Sequence, residues 1–267
     1  MKVCIIGGGH MGTTYAQGIV GSGLVRRGDM AIAERGEERA KELRALNIGS
    51  VHPDLRTCVR AANVVLLAVK PQDAAAVLEE LRPLLEPGQL IVSIMAGVTL
   101  DTLRKGTGLD TVARAMPNLP AQLGLGMTTF YPAPAVTAEQ TETIRQLLAT
   151  TGEAFPVDSE RAIDATTAIS GSGPAYVFYF MKAMMDAAEG FGFTGEQAEM
   201  LVTQTFRGAA ELLHKNDVPV EEWIARVSSK GGTTEAAIRH FRSTPLAEDI
   251  RAGARAALDR AVELGKS

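Results

Sequence analysis

Two glycine-containing segments, one near each end of the chain, combine residue types suited to binding anions. The first is Gly7-Gly8-Gly9-His10-Met11-Gly12, which has G-x-G-x-x-G spacing directly after an apolar run. In this pattern the glycines permit a tight turn, close approach of a pyrophosphate and close helix packing, while the next helix offers free amides. The alternative is a glycine-rich turn without a ligand. We predict a dinucleotide site that includes Gly7, Gly9, His10, Met11 and Gly12.

The second segment is Val227-Ser228-Ser229-Lys230-Gly231-Gly232-Thr233-Thr234, which precedes the amphipathic stretch Glu235 to Phe241. It brings backbone amides and four hydroxyl groups together at the start of a helix. Such a nest binds a carboxylate or phosphate without a basic side chain. Simple helix capping by Thr233 is the alternative, but capping does not explain so many donors beside a double glycine.

The second apolar run ends in Ala33-Glu34-Arg35, about twenty residues after the glycine pattern, where dinucleotide folds contact the adenine ribose. The carboxylate of Glu34 favours a free 2′-hydroxyl, whereas Arg35 favours a 2′-phosphate or stacks on adenine. A solvated pair in a loop is equally compatible with the sequence. These residues leave the choice between NADH and NADPH open.

Further cofactor contacts are predicted after two later apolar runs, because ligands bind at the carboxyl ends of strands in open α/β sheets. Lys70 is either close to the cofactor or an ordinary surface lysine, and the small residues after the following strand leave room for a nicotinamide. Asn118 follows another strand and either caps a turn or contacts ligand. The predicted contacts are Ala68, Val69, Lys70, Pro71, Ala96 and Gly97.

Alternating strand and helix patterns predict an α/β, Rossmann-like domain over residues 1–157, with a mostly parallel, doubly wound sheet. The apolar runs indicate six strands. Four helices are predicted between them. The strands are Val3 to Ile6, Met30 to Ala33, Val64 to Ala68, Leu90 to Ile94, Thr111 to Ala115 and Met127 to Tyr131; the helices are Thr13 to Ser22, Glu37 to Leu46, Gln72 to Leu85 and Thr137 to Thr150.

Residues 158–267 are rich in Ala, Met, Glu and Leu, which predicts an all-α domain. We expect one helix from about Ser159 towards Gly190, interrupted or bent around Gly171 to Pro174 because of the small residues and the proline of Ser170-Gly-Ser-Gly-Pro-Ala-Tyr176. A second helix begins at Thr194 with capping-box spacing to Gln197, and a last one has Thr244 as its cap. Their many small and apolar residues favour packing against a second copy of the chain, with an intramolecular bundle as the alternative.

Composition excludes several classes of protein. The net charge is −4 and the 27 basic residues are scattered, so neither nucleic acid nor an anionic membrane is an expected partner. The two cysteines lie far apart and the four histidines form no cluster with zinc-like spacing, so we expect neither a disulfide framework nor a metal site. Without a signal-like or membrane-spanning segment, the expected location is the cytoplasm.

In combination, the glycine pattern, Ala68-Val69-Lys70-Pro71, Ser170–Tyr176 and Val227–Thr234 resemble pyrroline-5-carboxylate reductases, in order and along essentially the whole chain. The resemblance implies NADPH- or NADH-dependent reduction of 1-pyrroline-5-carboxylate to L-proline, the last step of proline biosynthesis. It also implies a Rossmann domain followed by a helical dimerisation domain, in dimers that often assemble into decamers, with sites shared between partner subunits.

By the same resemblance, Thr234 contacts the nitrogen of the substrate ring and is the catalytic candidate. The substrate carboxylate is held by Ser229, Gly231, Gly232 and Thr233. Glu34 departs from the asparagine or serine common in the family, which leaves NADPH preference open. Two alternatives are a β-hydroxyacid dehydrogenase, for which Lys182 is the only lysine in the expected region, and a non-catalytic NAD(P) sensor, which would not need the Ser228–Thr234 loop.

Overall fold

The computed structural model describes residues 1–265, which form two compact units. The first unit comprises residues 1–172 and 257–265, and the second comprises residues 173–256. This compact division lies beyond the boundary expected after Val157. The buried guanidinium of Arg114 pairs with Glu160 and Asp164, which ties the segment after Val157 to the sheet.

Eight strands of the first unit form one sheet in the order β3-β2-β1-β4-β5-β6-β7-β8, parallel throughout except for the antiparallel pair β6 and β7. The predicted doubly wound, mostly parallel sheet is confirmed. All six predicted strands are present, but β3 and β8 were not predicted. The strands are β1 Val3–Ile6, β2 Met30–Ala33, β3 Ser50–His52, β4 Val64–Leu67, β5 Leu90–Ser93, β6 Val112–Met116, β7 Gly126–Pro132 and β8 Gly152–Pro156.

Helices cover both faces of this sheet. Two separate apolar clusters lie between sheet and helices, one around Ile5 and Tyr15 and the other around Ile6 and Leu103. Consecutive strand residues are buried because each face of the sheet is covered. The helices of this unit are α1 His10–Gly21, α2 Glu37–Leu46, α3 Leu55–Val59, α4 Ala74–Leu81, α5 Leu100–Thr107, α6 Ala138–Ala149 and α7 Glu160–Thr166.

The long helix predicted from Ser159 is interrupted as expected. A π-helical turn over Thr167–Gly171 follows α7, and a new helix begins at Gly173. Proline at position 174 lacks the backbone N–H that a continuous helix would need. The helices that follow are α8 Gly173–Gly190, α9 Gly195–Lys215, α10 Val220–Val227, α11 Thr233–Arg242 and α12 Leu246–Leu264, of which α12 starts in the second unit and ends in the first.

Two helix caps were predicted for the second unit, at Thr194 and at Thr244. Thr194 and Gln197 form the predicted capping box of α9. Thr244 does not cap α12: its hydroxyl donates to the Phe241 carbonyl at 2.9 Å, and the carbonyl of Pro245 accepts the hydrogen bond from Asp249. The prediction for Thr244 is therefore wrong, because its hydroxyl bonds backward to the end of α11.

Candidate active site

The glycine turn lies between β1 and α1 and has the geometry that a dinucleotide needs. Gly7 has φ +102°, and a Cβ there would lie 2.8 Å from the Ala68 carbonyl oxygen. A Cβ on Gly12 would lie 2.0 Å from the Gly7 oxygen, so helix and turn pack without space for a side chain. Gly9 faces open space, and no side chain caps the first turn of α1. A pyrophosphate therefore fits against Gly9 and the free amides.

Side chains from α1, from α2 and from the segment after β2 hold this turn in place through the backbone of Gly8. The Arg39 guanidinium donates from Nε to the Gly8 carbonyl oxygen at 2.7 Å and from Nη2 to the Thr13 hydroxyl at 2.8 Å. The same carbonyl accepts a hydrogen bond from Thr13 at 3.0 Å. The Gly8 N–H donates to Glu34 at 3.0 Å. Because both backbone groups of Gly8 are bonded, the turn is preorganised for a ligand.

A cleft of about 460 Å³ opens at the carboxyl ends of β2, β1 and β4, where the strand order reverses. This is the edge of a doubly wound sheet at which ligands bind. Seven predicted cofactor residues line the cleft. They are Gly7, Gly9, Glu34, Arg35, Ala68, Val69 and Lys70.

A neighbouring cleft on the other side of the glycine turn is lined by His10 and Met11, again with Lys70. Lys70 thus lies at the junction of the two clefts rather than on an unrelated surface. Pro71 begins the short 3₁₀ turn that follows Lys70, and the Lys70 carbonyl accepts from the Asp73 amide at 2.9 Å. Asp73, at the end of this turn, lines the first cleft together with Lys70.

The side chains of Glu34 and Arg35, which directly follow β2, bond to different partners. Glu34 accepts hydrogen bonds from the amides of Gly8 and Gly36 at 3.0 and 2.7 Å. Arg35 instead forms an ion pair with Glu80 of α4. The two residues were predicted as a pair that reads the ribose, and both do line the cleft, but their side chains have different partners.

Gly97 has a neighbour in the structure that the sequence does not indicate. Gly97 has φ +75°, and a Cβ there would lie 3.2 Å from the Cβ of Leu264. The space that the missing side chain leaves is used by the end of α12, within the first unit. Gly97 therefore gives room to a helix terminus, and its predicted contact with nicotinamide, like that of Ala96, remains a prediction.

Asn118 links the end of β6 to the π-helical turn. Its amide nitrogen donates to the Ser170 carbonyl at 3.1 Å, while its side-chain oxygen accepts from the Met127 amide at 2.9 Å. A Cβ on Gly171 would lie 2.9 Å from the terminal methyl of Met116. In the first unit, therefore, the small residues of this motif serve close packing against β6, and π turns of this kind are frequent at functional sites.

In the second unit, Ser229 to Gly232 form a tight turn directly before α11. The Gly232 amide donates to the Ser229 carbonyl at 2.9 Å, and a Cβ on Gly232 would lie 2.5 Å from the Ser229 hydroxyl. Gly231 has φ +78°, which favours glycine. Within residues 1–265 the hydroxyls of Thr233 and Thr234 form no hydrogen bond. The N-cap residue of α11 is Gly232, so the helix has no side-chain cap. The turn thus presents hydroxyls and amides that an anionic ligand can use.

Two side chains that support these turns were missed by the sequence analysis. Arg39 holds the glycine turn, and Glu235 accepts from the Gly231 amide at 2.7 Å. Arg39 and its partner Gly8 are 31 positions apart, so no local pattern indicates the contact. The signal for Glu235 is its place in the first turn of α11, where acidic side chains reach back to preceding amides.

Other side chains that could do chemistry among the described residues are possible metal ligands and the two cysteine thiols. Residues 1–265 contain no cluster of three or more His, Cys, Asp or Glu side chains arranged to bind a metal. Cys4 and Cys58 are buried and free, and a hydrogen bond between the two side chains, together with burial, raises the pKa of the Cys4 thiol. A raised pKa lowers the thiolate fraction and hence the nucleophilicity of Cys4.

Comparisons with known proteins match the two parts of the chain to two families. Residues 160–264 match the family described as pyrroline-5-carboxylate reductase dimerisation, and residues 2–97 match the family described as NADP oxidoreductase, coenzyme F420-dependent. A pyrroline-5-carboxylate reductase from Pseudomonas aeruginosa is 40% identical over 99% of this chain and 97% of that protein. This chain belongs to the pyrroline-5-carboxylate reductase family. A family member from Corynebacterium melassecola is 34% identical over 99% of this chain and 98% of its own.

Solved structures extend the family likeness to the fold. The pyrroline-5-carboxylate reductase from Coxiella burnetii is 34% identical and superimposes with a TM-score of 0.95 over 100% of this chain and 99% of that one. The Plasmodium falciparum enzyme of the family, solved with NADP bound, is 25% identical with a TM-score of 0.86, covering 99% of this chain and 98% of its own. The Rossmann-like sheet and the helical dimerisation domain of the family are therefore both present, and a dimerisation domain indicates a homo-oligomer.

Proposed function

We propose that this chain reduces the C=N bond of 1-pyrroline-5-carboxylate, giving L-proline, with NADPH or NADH as the reductant. The carrying observation is that one chain of this reductase family has both a preorganised dinucleotide turn and a donor-rich turn at the start of α11. A non-catalytic sensor would need only the first of these turns. The reaction is the last step of proline biosynthesis.

The proposed cofactor residues each have a role that follows from their place in the cleft. The pyrophosphate lies against Gly9 and the amides at the start of α1, which include those of His10 and Met11, while Gly7 and Gly12 keep turn and helix close together. Glu34 and Arg35 border the adenosine end. Ala68, Val69, Lys70 and Pro71, with Ala96 and Gly97 after β5, border the remainder of the cofactor.

The proposed reaction depends more on the orientation of the substrate ring against the nicotinamide than on a strong acid or base. A reduced nicotinamide, when bound, would supply a hydride to the imine carbon. The imine nitrogen would take a proton from solvent, directly or through the Thr234 hydroxyl, so that the C=N double bond becomes a C–N single bond. Ser229 and Thr233 help to hold the substrate carboxylate through their hydroxyls. Gly231 and Gly232, whose amides bond to Glu235 and to the Ser229 carbonyl, help by shaping the turn around it. Thr234 donates a hydrogen bond to the ring nitrogen and orients the imine carbon.

Turnover with purified protein tests the proposal directly. We expect nicotinamide absorbance to fall when 1-pyrroline-5-carboxylate is added with NADH or NADPH, and the product to be identified as proline. Folded protein that binds a dinucleotide but consumes neither reductant would refute the proposed reaction. It would favour the NAD(P) sensor.

Thr234 provides a sharper test at the proposed reaction centre. Thr234→Ala should lower kcat by about ten-fold or more, because one donor to the reacting nitrogen is lost, while the dissociation constant of the dinucleotide stays unchanged. Thr244→Ala is a matched control, since that hydroxyl bonds only to the Phe241 carbonyl at the end of α11. Equal kinetics for the Thr234 variant and the wild type would remove Thr234 from the site.

The β-hydroxyacid dehydrogenase alternative is disfavoured by Lys182, its candidate base. This side chain lies on α8, is exposed and forms an ion pair with Asp186, whose hydrogen bond raises the pKa of the lysine. A lysine that holds its proton more tightly is a poorer general base. The structure thus gives no support to alcohol oxidation through Lys182.

The proposal also covers assembly and location. We propose that the homo-oligomer is a dimer or a decamer built from dimers, that the functional division follows the predicted 1–157 and 158–267 domains, and that the protein works in the cytoplasm. No helix within residues 1–265 is both long enough and apolar enough to cross a membrane. No nucleic-acid partner is proposed, because the net charge is negative.

A further inference from the structure

The Glu34 carboxylate is fixed at the adenosine end of the cleft by two backbone amides. One oxygen accepts from Gly8 in the glycine turn at 3.0 Å, and the other accepts from Gly36, directly before α2, at 2.7 Å. A carboxylate offers about four acceptor positions. Each oxygen of Glu34 therefore keeps a further lone pair for a donor that enters the cleft.

The cations closest in sequence to Glu34 already have acidic or backbone partners. Arg35 pairs with Glu80, and Arg39 pairs with Glu42 while it holds the Gly8 carbonyl. Lys41 pairs with Glu38 at 2.9 Å and lies 3.8 Å from Glu37. The first turn of α2 contains Glu37 and Glu38 beside Arg39. Among the described residues, no basic side chain forms an ion pair with Glu34.

Lys70 is the other basic side chain of this cleft, but it belongs to a different strand. It follows β4, whereas Glu34 follows β2, and β1 lies between these two strands. Lys70 also lines the neighbouring cleft beyond Gly9. That position suits the phosphates or the nicotinamide end, so Lys70 does not compensate the charge around Glu34.

We propose that Glu34 makes this chain prefer NADH to NADPH, an inference that rests on the proposed use of a nicotinamide dinucleotide. The free ribose hydroxyls of NADH donate hydrogen bonds to the remaining lone pairs of Glu34. The 2′-phosphate of NADPH replaces a donor with an acceptor and brings negative charge next to a fixed carboxylate. The amides of Gly8 and Gly36 hold that carboxylate in place, which makes its withdrawal costly.

The exposed pair of Arg35 and Glu80 is the feature that opposes this preference. Arg35 is 61% exposed, and an exposed ion pair is weak, so Arg35 is able to leave Glu80 for a phosphate. Such a phosphate would still lie beside Glu34, the residue directly before Arg35. The preference is therefore expected to be a difference in affinity and not an absolute exclusion.

Direct binding measurements test the preference without using imine turnover. Isothermal titration calorimetry of the full chain with NADH and with NADPH should give a dissociation constant about ten-fold lower for NADH. Glu34→Gln keeps the size of the side chain but removes its charge, and should bring the two constants within about two-fold of each other. Glu34→Ser, checked for folding by circular dichroism, is a second variant with the same expected direction.

Glu38→Gln is the matched control, because it removes the same charge from the exposed first turn of α2. This variant should keep the wild-type preference. Equal or tighter NADPH binding by the wild type, or the same shift in Glu38→Gln as in Glu34→Gln, would overturn the assignment to Glu34. Preferential NADH binding without imine reduction would support this inference while refuting the proposed reaction, so the two failures are distinguishable.

Discussion

Glu235 illustrates how a side chain that is not itself a ligand shapes the proposed substrate turn. Its carboxylate accepts from the Gly231 amide at 2.7 Å, across the first turn of α11. This contact resembles one half of a capping box, in which an acidic or amide side chain bonds to an amide before the helix. Glu235 therefore keeps Gly231 and Gly232 in the conformation that presents their neighbours to a ligand.

Removal of this contact should weaken substrate binding specifically. Glu235→Ala should raise the KM for 1-pyrroline-5-carboxylate by about five-fold, since a hydrogen bond to a charged group is lost and the turn loosens. Dinucleotide affinity should not change, and Glu235→Gln, which keeps an acceptor, should restore most of the wild-type KM. Steady-state kinetics of both variants check this, with Glu248→Ala at the start of α12 as the control. Similar KM values for Glu235→Ala and Glu248→Ala would contradict the positioning role.

At the scale of single residues, the sequence predicted best where function depends on backbone geometry. Gly7 and Gly12 have the tight turn and the close helix packing that their spacing predicts, because both follow from the absence of a Cβ. Gly9 faces open space, and its contact with a pyrophosphate stays a prediction. Gly97 was assigned a different neighbour because its partner, Leu264, lies far away along the chain. Contacts of this kind depend on tertiary packing, which no local pattern contains.

Among the elements, α7 is held to the sheet by a buried ion-pair cluster. Arg114 of β6 has only 3% of its side chain exposed, and it contacts Glu160 at 3.2 Å and Asp164 at 2.8 Å. Glu160 also accepts from the Leu100 amide at 2.8 Å, which joins the start of α5 to the same cluster. The cluster fixes the segment that leads into the π-helical turn and α8.

Loss of one carboxylate should leave the buried guanidinium incompletely paired. Asp164→Ala is expected to lower the free energy of unfolding by about 3 kcal/mol, since breaking a buried pair leaves an uncompensated charge. Urea denaturation monitored by circular dichroism measures this change. Asp158→Ala, at an exposed position shortly before α7, should have little effect. Equal stability of the two variants would show that Arg114 does not depend on Asp164.

Element prediction succeeded where apolar runs were long and failed where pieces were short. The strand β3 has three residues, and β8 contains glycine and proline at its two ends and pairs only with β7 among the described strands. The helices α3 and α5 are short, with five and eight residues. Such segments become regular because neighbouring elements provide hydrogen bonds and cover, not because their own composition requires it.

On the scale of the whole molecule, the second unit exposes many large apolar side chains. Phe178, Tyr179 and Phe191 are 59%, 79% and 83% exposed in the single chain. Large exposed apolar surfaces mark sites of association. The match of residues 160–264 to a reductase dimerisation family identifies a second copy of this chain as the natural partner.

A charge within this apolar surface should weaken self-association. Phe178→Asp is expected to shift the protein towards the monomer, since dimer formation would bury the new carboxylate. Light scattering coupled to gel filtration measures the change over a range of concentrations. Gln204→Glu is the control. It also adds one negative charge to the second unit, but it replaces an exposed polar side chain of α9 and not a large apolar one. An unchanged oligomer for Phe178→Asp would place the interface elsewhere.

Because α12 begins in one unit and ends in the other, its division determines which fragments of the chain contain a whole unit. Residues 173–256 form one continuous insertion into the first unit, whose chain resumes at residue 257. The helical unit is thus available as a single uninterrupted fragment. A fragment that stops at Ser172 would lack Leu264, which fills the space beside Gly97. An isolated nucleotide-binding module should therefore join residue 172 to residue 257 through a linker, because truncation at Ser172 alone would not include the end of α12.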